Sequence, residues 1–417
     1  MTQQLTRICI LGGGFGGLYT ALRLSQLPWE KSQQPEIILI DRNDRFLFLP
    51  LLYELVTGEL QSWEIAPPYQ ELLANTGVRF IQATVTGIDI DKQSDSRGLG
   101  DKPRLAITLT QNSPLPETIE LNCDRLVLAL GGETPLDKVP GASELAIPFH
   151  SLSHAYRLEE RLRILEESEA EKIRVAVVGG GYSGVEIACK VAERLSDRGR
   201  VRIIERGDKI LGNSPDFNRE AARKALKDRN IWIDLETEVQ SITSNQISLL
   251  YKGQVDTIPV DIVLWTVGTR ISPIISALPL KQSQRGKLTI APTLQVIDRP
   301  EIFALGDIVD CQDATGEQIP NTAQSAFQQA DYTAWNIWAS LTNRPLLPFR
   351  YQHLGEMMTL GTDNATLTGL GLQLDGTLGY LLRRLIYLYR MPTLEHQLKV
   401  GFNWIAQPLL DLLSGKI

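Results

Sequence analysis

The chain has 417 residues, 43% of them hydrophobic and 22% charged, an ordinary globular composition with enough length for two or three domains that each bury a core. Its formal net charge of -7 argues against nucleic acid as the main partner, because phosphate binding needs a concentrated basic surface that this balance does not supply.

Taken in chain order, residues 7–11 read as a short buried strand, residues 12–17 as a glycine turn, and the following stretch as a helix with apolar positions at Leu18, Leu22 and Leu24. Residues 36–40 form the next strand, which ends at Asp41. A β-rich excursion from about residue 78 to 120 contains a polar, glycine-bearing loop at 93–103. Residues 126–130 then give a buried strand capped by Gly131 and Gly132. The opening pattern returns as strand 174–178, turn 179–184, helix 185–195 and strand 201–204, with Glu205 at its end. Strand 262–267 is capped by Gly268, and a strand-like run at 301–305 leads into Gly306 and Asp307. From Pro345 the chain is glycine-rich and apolar to Gly379, then basic and aromatic in YLLRRLIYLYR.

The chemistry lies in the repeat. Gly12-x-Gly14-x-x-Gly17 follows a strand and opens a helix, and Asp41 lies about 20 residues further on, which is the context in which glycines let a backbone approach a pyrophosphate. The diphosphate then sits on the helix N-terminal N–H groups, and the acid accepts from ribose hydroxyls. Gly179-x-Gly181-x-x-Gly184 with Glu205 repeats the arrangement. Two such fingerprints suit an enzyme that holds FAD, itself a dinucleotide, and the NAD(P)H that reduces it, with FAD assigned to the first copy. Glu205 favours the free 2′-hydroxyl of NADH while the adjacent Arg206 offsets that preference, so the choice between NADH and NADPH stays open. Gly306-Asp307 suits a hydrogen bond to the ribityl chain of FAD, and the two upstream folds favour that reading over a plain Gly-Asp turn.

Cys9, Cys123, Cys189 and Cys311 form no CxxC pair and no zinc spacing, which points to a reducing compartment and to electrons leaving a flavin directly for a diffusible acceptor. His150, His154, His353 and His396 are scattered without ligand spacing, so no metal is expected. The start of the chain runs straight into a strand, the expectation being no signal peptide and a cytosol-like compartment. No run reaches the roughly 18 to 20 apolar residues of a membrane span. Leu378, Leu381, Leu382, Leu385, Ile386 and Tyr389 nevertheless make an apolar stripe at helical spacing, with Arg383, Tyr387 and Arg390 opposite. After Met391-Pro392 a second stripe follows through Leu394, Leu398, Phe402, Ile405, Leu409 and Leu412, with Lys399 and Trp404 placed to reach lipid headgroups. Two readings stay open: amphipathic helices lying in a membrane surface, or helices packed on the protein body or on a homodimer partner.

The motifs GGGFGG, LALGGETP, VGGGYSGVEIA, IFALGD and Ala323-Gln324-x-Ala326-x-Gln328-Gln329 resemble the type II NAD(P)H:quinone oxidoreductases over nearly the whole chain. In FLFLPLLYELVTGELQSWEIAPP the detail is similar to the cyanobacterial and plastid branch described as demethylphylloquinone reductases. The resemblance implies an α/β fold with two Rossmann-like dinucleotide-binding domains, a single-chain, metal-free, non-proton-pumping flavoprotein, and a membrane quinone as acceptor. It implies that Gly12, Gly14, Phe15, Gly17, Asp41 and Asp307 hold FAD and that Gly179, Gly181, Gly184 and Glu205 hold the nicotinamide cofactor. It further implies that Ala323 and Gln324 lie against the isoalloxazine and line the quinone pocket. Glu186 stands where the family carries an acid close to nicotinamide and flavin; a helix N-terminal carboxylate stabilised by the dipole is the equally weighted alternative.

The expected organisation is an FAD-binding domain at 1–160 and 285–345, an NAD(P)H-binding domain at 161–284, and a membrane-associating region at 346–417. The implied place is peripheral, on the cytoplasmic side of a thylakoid or plasma membrane, with demethylphylloquinone or plastoquinone as the quinone. Two rivals stand beside this: a soluble NAD(P)H-dependent reductase of a small redox protein, in which removing 376–417 leaves turnover intact, and a slow flavin-based redox sensor.

Overall fold

The computed structural model describes residues 5–92, 104–111 and 117–413, so the loop expected at 93–103 lies outside the described residues, as do the side chains of Leu409 and Leu412. The chain divides into two compact units: Met1–Phe46, Pro67–Glu133 and Arg270–Gln352 form the first, and Leu47–Ala66, Thr134–Thr269 and His353–Ile417 the second.

The first unit is built on an eight-stranded sheet. Strands Arg299–Ala304, Arg125–Leu128, Arg7–Leu11, Glu36–Asp41 and the start of Arg79–Lys92 run parallel in that order. The sequences ICIL and IILI are apolar at successive positions because both faces of a parallel sheet are covered. Ile8 pairs with Ile37 and Ile10 with Leu39. Arg79–Lys92 is 14 residues long, so it leaves the parallel sheet part-way and continues into an antiparallel meander with Arg104–Gln111 and Thr118–Cys123. Helices Phe15–Gln26 and Ala323–Leu341 pack together. The core gathers Leu11, Ile38, Ile40, Ile107, Leu126 and Ile302 with Cys9 and Cys123.

The second unit has a five-stranded parallel sheet in the order Trp232–Asp234, Gly199–Ile204, Ile173–Val178, Ile262–Trp265 and Ala146–Pro148. Helix Tyr182–Leu195 follows its central strand, and Thr237–Ile242, Gln246–Tyr251 and Gln254–Pro259 add an antiparallel meander. The glycine-rich stretch after Pro345 contains a further antiparallel sheet, Glu356–Thr359, Ala365–Gly369 and Leu372–Leu374, which alternation in the sequence did not announce.

Helices Gly376–Arg390 and Leu394–Leu413 end the chain with their amphipathicity turned inside out. The polar positions Arg383, Tyr387 and His396 are buried, whereas Leu378, Leu381, Leu385, Tyr389, Leu394, Leu398, Phe402 and Ile405 are each at least half exposed. Trp404 does not reach outward as expected: its indole donates to Glu64 Oε1 at 2.8 Å, Asn403 donates to the same oxygen at 3.2 Å, and Arg384 lies over its ring. His396 Nε2 meets the Glu64 carbonyl at 2.7 Å. Among the described residues no helix is long and apolar enough to cross a membrane.

Candidate active site

In the first unit the strand Arg7–Leu11 delivers the chain to Gly12, whose φ of 96° is left-handed and whose Cβ, if present, would stand 2.3 Å from the Ala129 carbonyl oxygen. A Cβ on Gly17 would lie 1.7 Å from the Gly12 oxygen, so the helix passes the loop only because that position is glycine. Gly14 is different: a Cβ there would meet nothing within 4 Å. Gly14 is also the N-cap of helix Phe15–Gln26, with no side-chain cap and no acid in the first turn. Open space in front of uncapped N–H groups is a cradle for a diphosphate. Asp41 Oδ2 accepts from the Gly13 N–H at 2.6 Å and Oδ1 from the Asn43 N–H at 2.8 Å, while Tyr69 donates its hydroxyl to the Gly13 carbonyl at 2.8 Å. Phe15 stacks with Tyr19 and meets Phe46 edge-on.

The residue before Gly306, Leu305, lies against Gly16, and Tyr19 meets Phe327 edge-on at 4.6 Å, so the first loop, Gly306-Asp307 and the start of helix Ala323–Leu341 come together. Gly306 donates its N–H to Gln329 at 2.8 Å. Burial pushes the half-buried Asp307 carboxyl up, against a pull from Lys287. Thr322 caps the helix, and Gln324, its second residue, accepts from the Tyr351 hydroxyl at 2.9 Å. Gln328 both donates to and accepts from the Gln352 backbone, at 2.8 and 3.0 Å.

The second unit repeats the loop. Gly179 has φ of 114°, a Cβ on Gly184 would lie 1.8 Å from the Gly179 oxygen, and a Cβ on Gly181 would meet nothing within 4 Å. Helix Tyr182–Leu195 likewise starts with no side-chain cap and no acid in its first turn. Glu205 Oε2 accepts from the Gly180 N–H at 2.7 Å and Oε1 from the Gly207 N–H at 2.6 Å. Thr266, at the end of strand Ile262–Trp265, sits beside Gly179 and Gly184, and Gly268 follows it in a left-handed turn against Pro135. Both sets of residues therefore fit a dinucleotide: a glycine cradle, bare helix N–H groups, and an acid behind the loop.

Glu186 lies one turn into that second helix, and it is buried among groups that the sequence reading did not connect. Its Oε1 accepts from the Thr359 N–H at 3.0 Å and stands 3.6 Å from Arg383. Arg383, fully buried, donates to Glu54 Oε1 at 2.5 Å and to the Pro50 carbonyl at 2.7 Å, with its guanidinium over the Tyr387 ring. Tyr53 donates to Ser183 at 2.9 Å, and buried Lys190 pairs with Glu59. Burial pushes the Glu186 carboxyl up to about 8, although Arg383 and the Thr359 N–H pull it down. The signals available in sequence were slight: Glu54 is the one acid inside the apolar run LPLLYELV, and Arg383 sits on the polar side of an apolar helix. Among the described residues no group of three or more His, Cys, Asp or Glu side chains gathers as metal ligands.

Residues 6–330 match the model of a family described as pyridine nucleotide-disulphide oxidoreductase. The chain belongs to that family. It is 55% identical, over the full length of both chains, to demethylphylloquinone reductase of Synechocystis. It is 45% identical to the alternative NAD(P)H-ubiquinone oxidoreductase C1 of Arabidopsis thaliana, over 98% of this chain and 82% of that one. Among solved structures, NDH2 from Plasmodium falciparum in complex with NADH superposes with a TM-score of 0.81 at 17% identity, covering 96% of this chain and 98% of that one. The type II NAD(P)H:quinone oxidoreductase membership implied by the motifs is thus shown, and with it the fold. The disulphide in the family's description has no counterpart in an exposed thiol here, since all four cysteines are free and buried.

Proposed function

We propose that this flavoprotein takes a hydride from NAD(P)H onto FAD and passes two electrons to a membrane quinone of the naphthoquinone or plastoquinone class, demethylphylloquinone first among them. The observation that carries the reading is the pair of uncapped helix starts, Gly14 and Gly181, each facing open space and each backed by an acid. The flavin supplies the two-electron centre, and the protein's own residues bind and orient. Gly12, Gly14, Phe15 and Gly17 with Asp41 hold the FAD diphosphate and ribose, and Gly306-Asp307 with Ala323 hold the ribityl and ring. Gln324, fixed by Tyr351, presents its amide to the quinone. Gly179, Gly181, Gly184, Glu205 and Gly268 hold the nicotinamide nucleotide, and Glu186 holds a proton for the reaction. The FAD-binding domain is assigned to 1–160 and 285–345 and the nucleotide domain to 161–284, with the exception of strand Ala146–Pro148, which pairs with Ile262–Trp265 in the second unit's sheet.

The outward stripe of the two C-terminal helices, with Leu370 and Leu372 from the last hairpin also exposed, is read as a surface that lies on the cytoplasmic side of a membrane. Flotation with lipid vesicles tests this: Leu385→Glu with Leu398→Glu abolishes binding, and a variant that still floats, or a wild type that only forms a homodimer without binding vesicles, overturns it.

The decisive experiment for the function is anaerobic reduction of the yellow protein by NADH and by NADPH, followed by reoxidation with naphthoquinones and benzoquinones. Rapid bleaching and quinone-dependent recovery are expected. Protein without flavin, flavin that stays oxidised, or recovery only with a small redox protein sinks the proposal.

A further inference from the structure

The second unit encloses more carboxyls than cations can balance. Arg383 has no exposed surface, Glu54 is 1% exposed and Glu186 6%. Lys190 and Glu59 form a pair of their own, closed by Tyr380, which donates to Glu59 at 3.2 Å, and by the Gly361 carbonyl at 3.1 Å from the ammonium. The other groups facing Glu186 are neutral: Tyr53 spends its hydroxyl on Ser183, Tyr387 lies beneath the guanidinium, and burial pushes the Cys189 thiol up to about 12. That leaves one cation, Arg383, against two carboxyls. A charge without a partner in such surroundings is strongly disfavoured, so one carboxyl must carry a proton.

We propose that Glu54 and Glu186 act as one proton-holding unit around Arg383, in which Glu54 occupies the guanidinium and thereby keeps the proton on Glu186. The geometry sets the order. Glu54 is in direct contact at 2.5 Å while Glu186 stands off at 3.6 Å, with the Thr359 N–H taking only one of its oxygens. Neither carboxyl uses the Arg383 Nε–H, and Glu54 Oε2 has no hydrogen-bond partner, so a negative charge on Glu186 would have only the Thr359 N–H and the more distant guanidinium to stabilise it. Glu54 is a positioning residue, acting through Glu186. The overall reaction, NAD(P)H plus a proton plus quinone giving NAD(P)+ plus quinol, consumes one proton beyond the hydride, and the unit stores one. Its use in turnover rests on the role given to Glu186 above; the occupancy of the proton does not.

Infrared difference spectroscopy of the full chain, in H2O and D2O, counts protonated carboxyls directly. Wild type at neutral pH shows one buried carboxylic acid band that disappears as the pH passes about 8. Glu186→Gln removes the band. Glu54→Gln removes it as well, because Arg383 is then free to pair with an ionised Glu186. A band of wild-type intensity in Glu54→Gln, or no band in wild type, overturns the proposal. If Glu54→Gln does not fold, Arg383→Met answers the same question, since two carboxyls and no cation should double the band and an unchanged band overturns the idea. The pH profile of kcat with a quinone should lose its limb near 8 in Glu54→Gln while KM for the nicotinamide is unmoved. A wild type without quinone activity would refute the proposed function and leave the band count standing, whereas an active enzyme whose band survives Glu54→Gln refutes the proton unit alone.

Discussion

The two glycine loops use one backbone solution and different surroundings. In the first, Asp41 is short and its bonds are reinforced by Asn43, whose side chain also donates to Oδ1 at 3.0 Å, and Tyr69 closes over the loop carbonyl. In the second, Glu205 is one methylene longer, its second oxygen goes to a glycine, Gly207, and Arg206, Asp208 and Lys209 beside it are exposed. A tyrosine side chain holds the first loop at that carbonyl, whereas backbone holds the second, Gly180 accepting there from the Leu211 N–H at 2.8 Å. That difference suits a resident cofactor in one and an exchanging co-substrate in the other.

The largest effect should come from filling the closest glycine contacts. Gly17→Ala puts a methyl 1.7 Å from a backbone oxygen, and protein without flavin or without a stable fold is expected, an overpacking cost above the usual range of about 1–3 kcal/mol. Gly184→Ala meets the same obstacle at 1.8 Å, yet it should leave the flavin spectrum intact and remove bleaching by NAD(P)H. Equal flavin loss in both variants would break the distinction between the loops. A smaller effect sharpens it: Glu205→Gln should raise kcat/KM for NADPH relative to NADH by about tenfold, or ~1.4 kcal/mol, and an unmoved ratio would remove Glu205 from ribose recognition.

A further effect is one of pH and stability. Folded Glu186 keeps its proton to about 8, whereas the same carboxyl in an unfolded chain releases it near 4.5, so the native state binds more protons between those values and stability falls as pH rises through that window. Glu186→Gln should flatten that slope, raising Tm relative to wild type above pH 8 and converging with it toward pH 5, as thermal unfolding over a pH series would show.

Much of this was legible in the residues. Strand Arg7–Leu11 and both glycine loops stand where their apolar runs and glycine spacings placed them, because a parallel strand buried on both faces and a turn too tight for Cβ leave strong local signatures. The helix after Gly181 begins at Tyr182, earlier than the apolar periodicity from Val185 suggested, since its first turn carries no packing stripe. What stayed hidden depends on residues distant in sequence. Nothing local to Glu54 announces an arginine 329 positions away, and nothing in YLLRRLIYLYR says that its charged side faces inward. Binary pattern identifies an amphipathic helix and is silent on which side meets water, lipid or protein.

The inverted helices have a practical consequence for anyone who would remove them. Cutting the chain before Gly376 would strip Glu54 of the Arg383 guanidinium, Glu64 of Trp404 and the Lys190–Glu59 pair of the Tyr380 hydroxyl, opening a buried interior around its acids. A truncated protein that lost activity would therefore report collapse of the second unit and say nothing about lipid. The proposed membrane contact has to be tested from outside, by replacing Leu381, Leu385, Leu398 and Phe402 with polar side chains while the inward face is left as it is.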